Sequence, residues 1–297
     1  MEFKAHGKLL LFGEYIVLEG SKCLAIPLHY HQTLTVKKSD SLHHIWRSLE
    51  SGKEWFSCSF NDKLDILQSN HAEAADTLRQ LLMLIYNKLP TLFQEKRYFE
   101  VNADFPLKWG LGSSSTLVSL LSQWSGLDPY ALLDNSFGGS GYDIACATAS
   151  GPILYEKSNR KTQSVMLPDS ISSRLLFIYS GRKQLTTQET LRFKGRDIPK
   201  NAVDRMNQMI DGVLQTKQIA DFEKYINESE SLLASLLQKE AIQEVLFKDY
   251  PYSIKSLGAW GGDFFMASYR DEKEARDYFS QKGYPVHFTY PEIIYHP

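Results

Sequence analysis

The stretch Pro106-Leu-Lys-Trp-Gly-Leu-Gly-Ser-Ser-Ser-Thr116 holds residue types that could bind a phosphate. Gly110 and Gly112 allow positive φ and let the backbone approach a ligand closely. The apolar run from Leu117 to Trp124 that follows reads as a helix, with Ser113 or Ser114 placed to cap it. The N–H groups at a helix start, with the positive end of its dipole, suit an anion. Serine hydroxyls are also oxygen ligands of the kind that a magnesium ion takes. No Gly-Lys-Ser/Thr closes the stretch, so it is not a P-loop. Taken alone it reads equally well as a capped helix after a tight turn.

Two further stretches change that balance. Gly7-Lys-Leu-Leu-Leu-Phe-Gly-Glu-Tyr-Ile-Val-Leu-Glu-Gly20 lies near the start and Lys255-Ser-Leu-Gly-Ala-Trp-Gly-Gly-Asp-Phe264 near the end. In this order and spanning nearly the whole chain, the motifs resemble those of the GHMP kinases, which include galactokinase, homoserine kinase, mevalonate kinase and phosphomevalonate kinase. The resemblance implies an α+β, two-lobed GHMP kinase fold, with an N-terminal ribosomal-protein-S5-like β/α domain over residues 1–175. A C-terminal ferredoxin-like α/β domain would follow over 176–297. It implies an ATP-dependent phosphotransferase that uses Mg2+ and acts on a small molecule.

By the same resemblance, Lys108, Trp109, Gly110, Leu111, Gly112, Ser113, Ser114 and Ser115 would cradle the nucleotide. Ser114 and Asp134 would hold the metal, although the spacing of Asp134 does not align cleanly and a solvated helix-end acid is its other reading. Asp143 would take the proton of an acceptor hydroxyl, and Lys8 would orient Asp143 and stabilise the developing alkoxide. A mechanism in which lysine and backbone activate the hydroxyl without a true base stays open. Glu14, Gly141, Gly258, Ala259 and Gly261 would face the acceptor, with Glu14 holding the first turn or the acceptor site rather than catalysing. Arg182 and Lys183 could bind its anionic groups, since Arg meets phosphate or carboxylate in a bidentate way. As structural alternatives, Lys8 is a solvated strand lysine, Asp143 an acid at a helix N-terminus, and the third glycine motif a hairpin turn.

The Gly-Ser-Gly-Tyr-Asp-Ile-Ala segment and the Gly-Gly-Asp at 261–263 are most similar to phosphomevalonate kinases. The first expectation is therefore mevalonate or phosphomevalonate as acceptor, in isoprenoid precursor synthesis. Homoserine, a sugar or a sugar phosphate, a diphosphomevalonate decarboxylase-like reaction, and a non-catalytic sensor of the same fold are the alternatives. The chain departs from the family at His6, Tyr15, Lys108, Trp109 and Trp260. The indoles of Trp109 and Trp260 would line a base or sugar pocket, or narrow the site.

The elements that must position these residues follow from periodicity. Lys8 to Phe12 and Tyr15 to Leu18 read as short strands joined at Gly13-Glu14. His31 to Lys38 alternates, and Ser51-Gly-Lys53 joins two strands as a hairpin. Ala72 to Lys88 is helical, Arg97 to Ala103 extended, and Asp128-Pro129 caps a further helix. Strands are expected at 153–156, 162–166 and 175–179, and helices at 186–193, 202–215 and 222–237. The chain then closes as strand 253–257, strand 264–269, helix 272–281 and strand 285–288.

At 297 residues the chain can bury a large core. Its hydrophobic content of 43%, charged content of 23% and net charge of −2 give no reason to expect a nucleic acid or a membrane as partner. Cys23, Cys58 and Cys146 read as reduced core thiols. No leader or membrane-length apolar run is evident, so a cytoplasmic enzyme is expected, with a homodimer allowed.

Overall fold

The computed structural model describes residues 1–181, 198–258 and 262–296. It is mixed α and β, as expected, and divides into two compact units that are not contiguous in sequence. The first unit comprises residues 1–7, 30–107 and 111–148, and the second comprises 8–29, 108–110 and 149–297.

Two long strands, β1 (Glu2–Phe12) and β2 (Lys22–Lys38), contribute to both units and pair with each other. In the first unit, β3 (His44–Glu50) and β4 (Lys53–Phe60) form the expected hairpin, with β5 (Ile66–Ser69) on its edge. Helix α1 (Ala72–Tyr86) then carries the chain to β6 (Arg97–Ala103). Strand β6 pairs parallel with β3 and antiparallel with the second half of β2, where Leu34 faces Val101. A parallel neighbour needs such a crossover, and α1 supplies it. Burial alternates along β3 and β6, so Trp46, Phe99 and Val101 point inward. They meet Leu78, Leu81, Leu82 and Ile85 of α1 and Val118, Leu120, Leu121 and Trp124 of α2 (Ser113–Ser125). The centre is aromatic: Trp46 stacks on Phe99 at 5.3 Å, and Trp124 meets Phe99 edge-on at 5.0 Å. Helices α3 (Pro129–Asp134) and α4 (Tyr142–Ala147) pack on α2. As read from the sequence, Pro129 opens α3 and Asp128 accepts from Tyr130 N and Ala131 N.

In the second unit, the first half of β2 pairs with β7 (Ile153–Glu156), which pairs with β8 (Lys161–Ser164). After α5 (Asp169–Ser172) comes β9 (Leu175–Tyr179), the centre of an antiparallel sheet. Helices α6 (Lys200–Gln215), α7 (Ile219–Leu237) and α8 (Ile242–Leu246) lead to β10 (Ile254–Leu257) and β11 (Phe264–Ser268). Helix α9 (Glu272–Gln281), β12 (His287–Thr289) and α10 (Tyr290–Ile293) complete it. The sheet order is β10-β11-β9-β12. Strands β9 and β11 are buried almost throughout, which matches their unbroken apolar runs Leu-Leu-Phe-Ile-Tyr and Phe-Phe-Met-Ala-Ser.

One expected strand is absent. Tyr15 to Leu18 forms a 3-10 turn (Ile16–Glu19), not an extended segment. Gly13 turns the chain at φ +99, and a Cβ there would lie 2.6 Å from Cys23 Cβ and 2.7 Å from the Lys22 carbonyl. Only glycine fits that approach. The helix expected over 186–193 lies outside the described residues. No described helix is long and apolar enough to cross a membrane, and Cys23, Cys58 and Cys146 are buried and form no disulfide.

Candidate active site

In the first unit the glycine turn delivers the chain into α2 through Gly112, at φ 93 and ψ 33. Here the structure corrects the expected cap: Gly112 is the N-cap, no side chain caps the helix, and Ser113 to Ser115 already lie within it. Gly112 has no side-chain acceptor to offer the first N–H groups, which is the condition under which a helix start accepts an external anion. Ser114 is exposed and Ser113 and Ser115 are half-buried. Thr116, one position on, is buried; its hydroxyl lies 2.8 Å from Gln32 Oε1 and 3.0 Å from the Ser113 carbonyl. Gly7 of the first motif closes on this turn. A Cβ there would lie 3.1 Å from the Leu111 carbonyl and 3.3 Å from the Tyr30 carbonyl.

The Gly-Ser-Gly segment behaves similarly. Gly141 has φ 90 and is the N-cap of α4, again without a side-chain cap, and Asp143 sits half-buried in its first turn. Packing of α4 on α2 holds Asp143 and the serine turn on one small framework. Asp134 is the last residue of α3 and is exposed. Among the described residues, no three His, Cys, Asp or Glu side chains cluster as a metal site would.

In the second unit, Lys8 lies half-buried on β1. Glu14, six residues on, is buried under the turn and accepts from Lys255 Nζ at 2.6 Å. Glu230 Oε1 of α7 lies 3.7 Å from the same ammonium and also accepts from Ser256 N at 3.2 Å. Burial pushes the Glu14 carboxyl above its usual range despite the ammonium beside it. Burial likewise raises Glu230 to about 7, with the nearby Glu14 charge adding to the rise and Lys255 opposing it. The sequence reading gave Glu14 the first turn, where it is found, but assigned nothing to Lys255 or Glu230. A signal existed for each. Lys255 opens the third glycine motif, and Glu230 falls on the buried helical stripe Phe222, Ile226, Leu233 and Leu237.

Residues 108–110 also belong to the second unit. Lys108 is exposed and its carbonyl lies 3.4 Å from the Tyr179 hydroxyl. Trp109 packs into an aromatic group with Tyr179 at 5.7 Å, Phe264 at 6.1 Å and Phe288 at 5.7 Å. It thus anchors its turn on β9, β11 and β12, a role that the pocket-lining expectation did not include. Gly110, at φ +67, lies so close to Asp263 that an added Cβ would overlap its carboxylate. The last acid of the third motif therefore abuts the first glycine of the second. Gly258, at φ +74, ends β10, and Leu257 pairs with Phe264, so the third motif joins an antiparallel pair. Arg182, Lys183, Ala259, Trp260 and Gly261 lie outside the described residues.

The chain has the fold of the GHMP kinases. It is similar over nearly its whole length to the Methanococcus jannaschii mevalonate kinase, with a TM-score of 0.71, 18% identity, and 100% of this chain and 98% of that chain covered. The Streptococcus pneumoniae phosphomevalonate kinase, solved with phosphomevalonate and AMPPNP, gives a TM-score of 0.73 at 17% identity, with 97% of this chain and 99% of that chain covered. The Lactococcus lactis galactokinase, solved with galactose, gives 0.66 at 12% identity over 97% and 92% of the two chains. No family model matches the sequence, and no curated protein matches it.

Proposed function

We propose that this protein is an ATP-dependent kinase of the GHMP type that phosphorylates a small anionic acceptor, with mevalonate or phosphomevalonate first. The observation that carries the reading is the uncapped start of α2 behind Gly112, within a fold shared with kinases. Backbone N–H groups of residues 112–115 would hold the nucleotide phosphates, with Lys108 and Gly110 alongside. When bound, ATP supplies the phosphoryl group, and Mg2+ neutralises charge on its oxygens. The residues fit a nucleotide-borne ion that keeps most of its waters: Ser114 offers an exposed hydroxyl and Asp134 an exposed carboxylate, but no all-protein cage exists among the described residues.

For a hydroxyl acceptor, Asp143 takes the proton as the oxygen attacks, and Lys8 stabilises the alkoxide. For a phosphate acceptor, no hydroxyl proton leaves, and Asp143 positions instead. The Gly-Ser-Gly-Tyr-Asp and Gly-Gly-Asp segments favour phosphomevalonate. Arg182 and Lys183 are assigned to the acceptor's anionic groups, and Glu14, Gly141, Gly258, Ala259 and Gly261 to the acceptor side. The division into domains 1–175 and 176–297, of S5-like and ferredoxin-like type, the cytoplasmic location and a homodimer belong to the same reading.

The test is release of ADP with Mg2+ over a panel of mevalonate, phosphomevalonate, diphosphomevalonate, homoserine, galactose and heptose phosphates. Turnover with one of the first two is expected, and Asp143→Asn is expected to lower it by roughly 10²-fold or more with a hydroxyl acceptor. Absence of both ADP release and nucleotide binding would overturn the reading.

A further inference from the structure

The Glu14–Lys255–Glu230 cluster joins three separate elements, and only Glu14 among its members has been given a place in the site. Lys255 of β10 is fully buried, and its ammonium donates to Glu14 Oε1 at 2.6 Å and to the Ser256 carbonyl at 3.1 Å. The Phe12 ring at the end of β1 lies 5.2 Å from the same ammonium. Glu230 reaches β10 from α7, lying 3.2 Å from both Ser256 N and Ser256 Oγ. Glu14 Oε2 is buried without a hydrogen-bond partner. Such a group is a poor device for stability, because an apolar trio of similar volume generally does as well. Its best-attested use is to specify register. The two segments it registers are the turn that ends the first motif and the strand that enters the third.

We propose that Lys255 is a positioning residue. Its pairing with Glu14, backed by Glu230, fixes the Gly13–Tyr15 turn against β10. It thereby sets the course of the strand bearing Lys8 and of the chain entering the third glycine motif at Gly258. An unpaired alternative register would leave an ammonium or two carboxylates buried alone, so the cluster penalises slippage in either direction. The effect on turnover rests on the kinase reading; the register does not.

The test uses the full chain with Lys255→Met, Glu14→Gln and Glu230→Gln together, which removes every charge with little change in volume. Amide hydrogen exchange is read over residues 9–20 and 254–258, with β9 as internal reference. Both segments are expected to exchange roughly tenfold faster or more while β9 holds, as for a local opening. Where the unaltered protein turns over, kcat is expected to fall by roughly tenfold or more with KM for ATP within about threefold. Wild-type exchange in both segments overturns the proposal, and so does faster exchange with kcat unchanged. If the unaltered protein neither turns over nor binds nucleotide, the kinase reading fails and exchange alone decides the register. If the triple variant does not fold, Glu14→Gln takes its place with the same exchange readout, since Lys255 then keeps Glu230 as counter-charge.

Discussion

The two units carry their motif residues in opposite ways. In the first, an apolar core of Trp46, Phe99 and Trp124 is sealed, and Ser114 and Asp143 sit outside it on helix starts. In the second, Glu14, Lys255 and Glu230 are themselves the interior. Chemistry and stability are therefore separable in the first unit and entangled in the second. The largest expected effect tests this directly. Lys255→Met leaves buried carboxylates without their counter-charge and should cost about 3–5 kcal/mol. Ser114→Ala, at an exposed position, should stay within about 0.5 kcal/mol. Urea unfolding measures both, and equal losses would break the comparison.

Two buried groups, Glu230 in the second unit and His44 in the first, should also answer pH with opposite signs. Burial raises Glu230 from 4.5 to about 7. The folded state then binds a proton that the unfolded state releases, so this contribution is fully present below pH 4.5 and is lost as pH rises towards 7, by about 3 kcal/mol. Glu14, also raised by burial, acts in the same direction. His44, in the first unit, is lowered from 6.5 to about 4, by burial first and then by Lys96 and Arg97. Its Nδ1 accepts from Arg97 N at 3.1 Å. Its contribution is present above pH 6.5 and is lost as pH falls towards 4, again by about 3 kcal/mol. Unfolding free energies from pH 4 to 8 should show a shallower alkaline-going decline in Glu230→Gln, with the share from Glu14 remaining, and a shallower acid-going decline in His44→Asn. If both variants flattened the same limb, the assignment of opposite signs to Glu230 and His44 would fail.

A buried but uncharged bond lies between these cases. The Thr116 hydroxyl lies 2.8 Å from Gln32 Oε1, which is almost fully buried. Thr116→Val keeps the shape and strands that acceptor, so a loss of about 1–3 kcal/mol is expected. Because neither partner titrates, the loss should be the same at pH 5 and pH 8. A pH-dependent loss would mean that charge reaches the first unit's interior after all.

Much of this was legible beforehand because it obeys short-range rules. Strand β6 and helix α9 have the bounds that periodicity gave, and the hairpin at Ser51-Gly52 forms as read. Where the reading failed, the cause was distant or backbone-specific. Serine chemistry pointed to a Ser113 or Ser114 cap, but the left-handed Gly112 takes that position and draws the serines into the helix. Tyr15 to Leu18 looked like a strand because nothing local reveals that Cys23 blocks any side chain at position 13. Trp109 meets Phe264 and Phe288, more than 150 residues away in sequence. Lys255 and Glu14 are 241 residues apart. Such pairings are set by topology, and only the place of Lys255 at the start of the third glycine motif and the charge of Glu230 on an apolar stripe hinted at one.

Where the short-range rules hold, the two units should behave alike, and the smallest prediction rests on that. Asp128 caps α3 in the first unit by accepting from Tyr130 N and Ala131 N, each at 3.2 Å. Asp271 caps α9 in the second by accepting from Glu274 N at 2.9 Å. Each satisfies helix-start donors at an exposed position, and neither touches the cores that distinguish the units. Asp128→Ala and Asp271→Ala should therefore each cost about 1 kcal/mol. Chemical denaturation of the two variants side by side measures this. Matching losses would confine the difference between the units to what they bury. A clearly larger loss for Asp271→Ala would show that the second unit's stability is set by more than its charged cluster, and would weaken the link drawn between Lys255 and the turns above it.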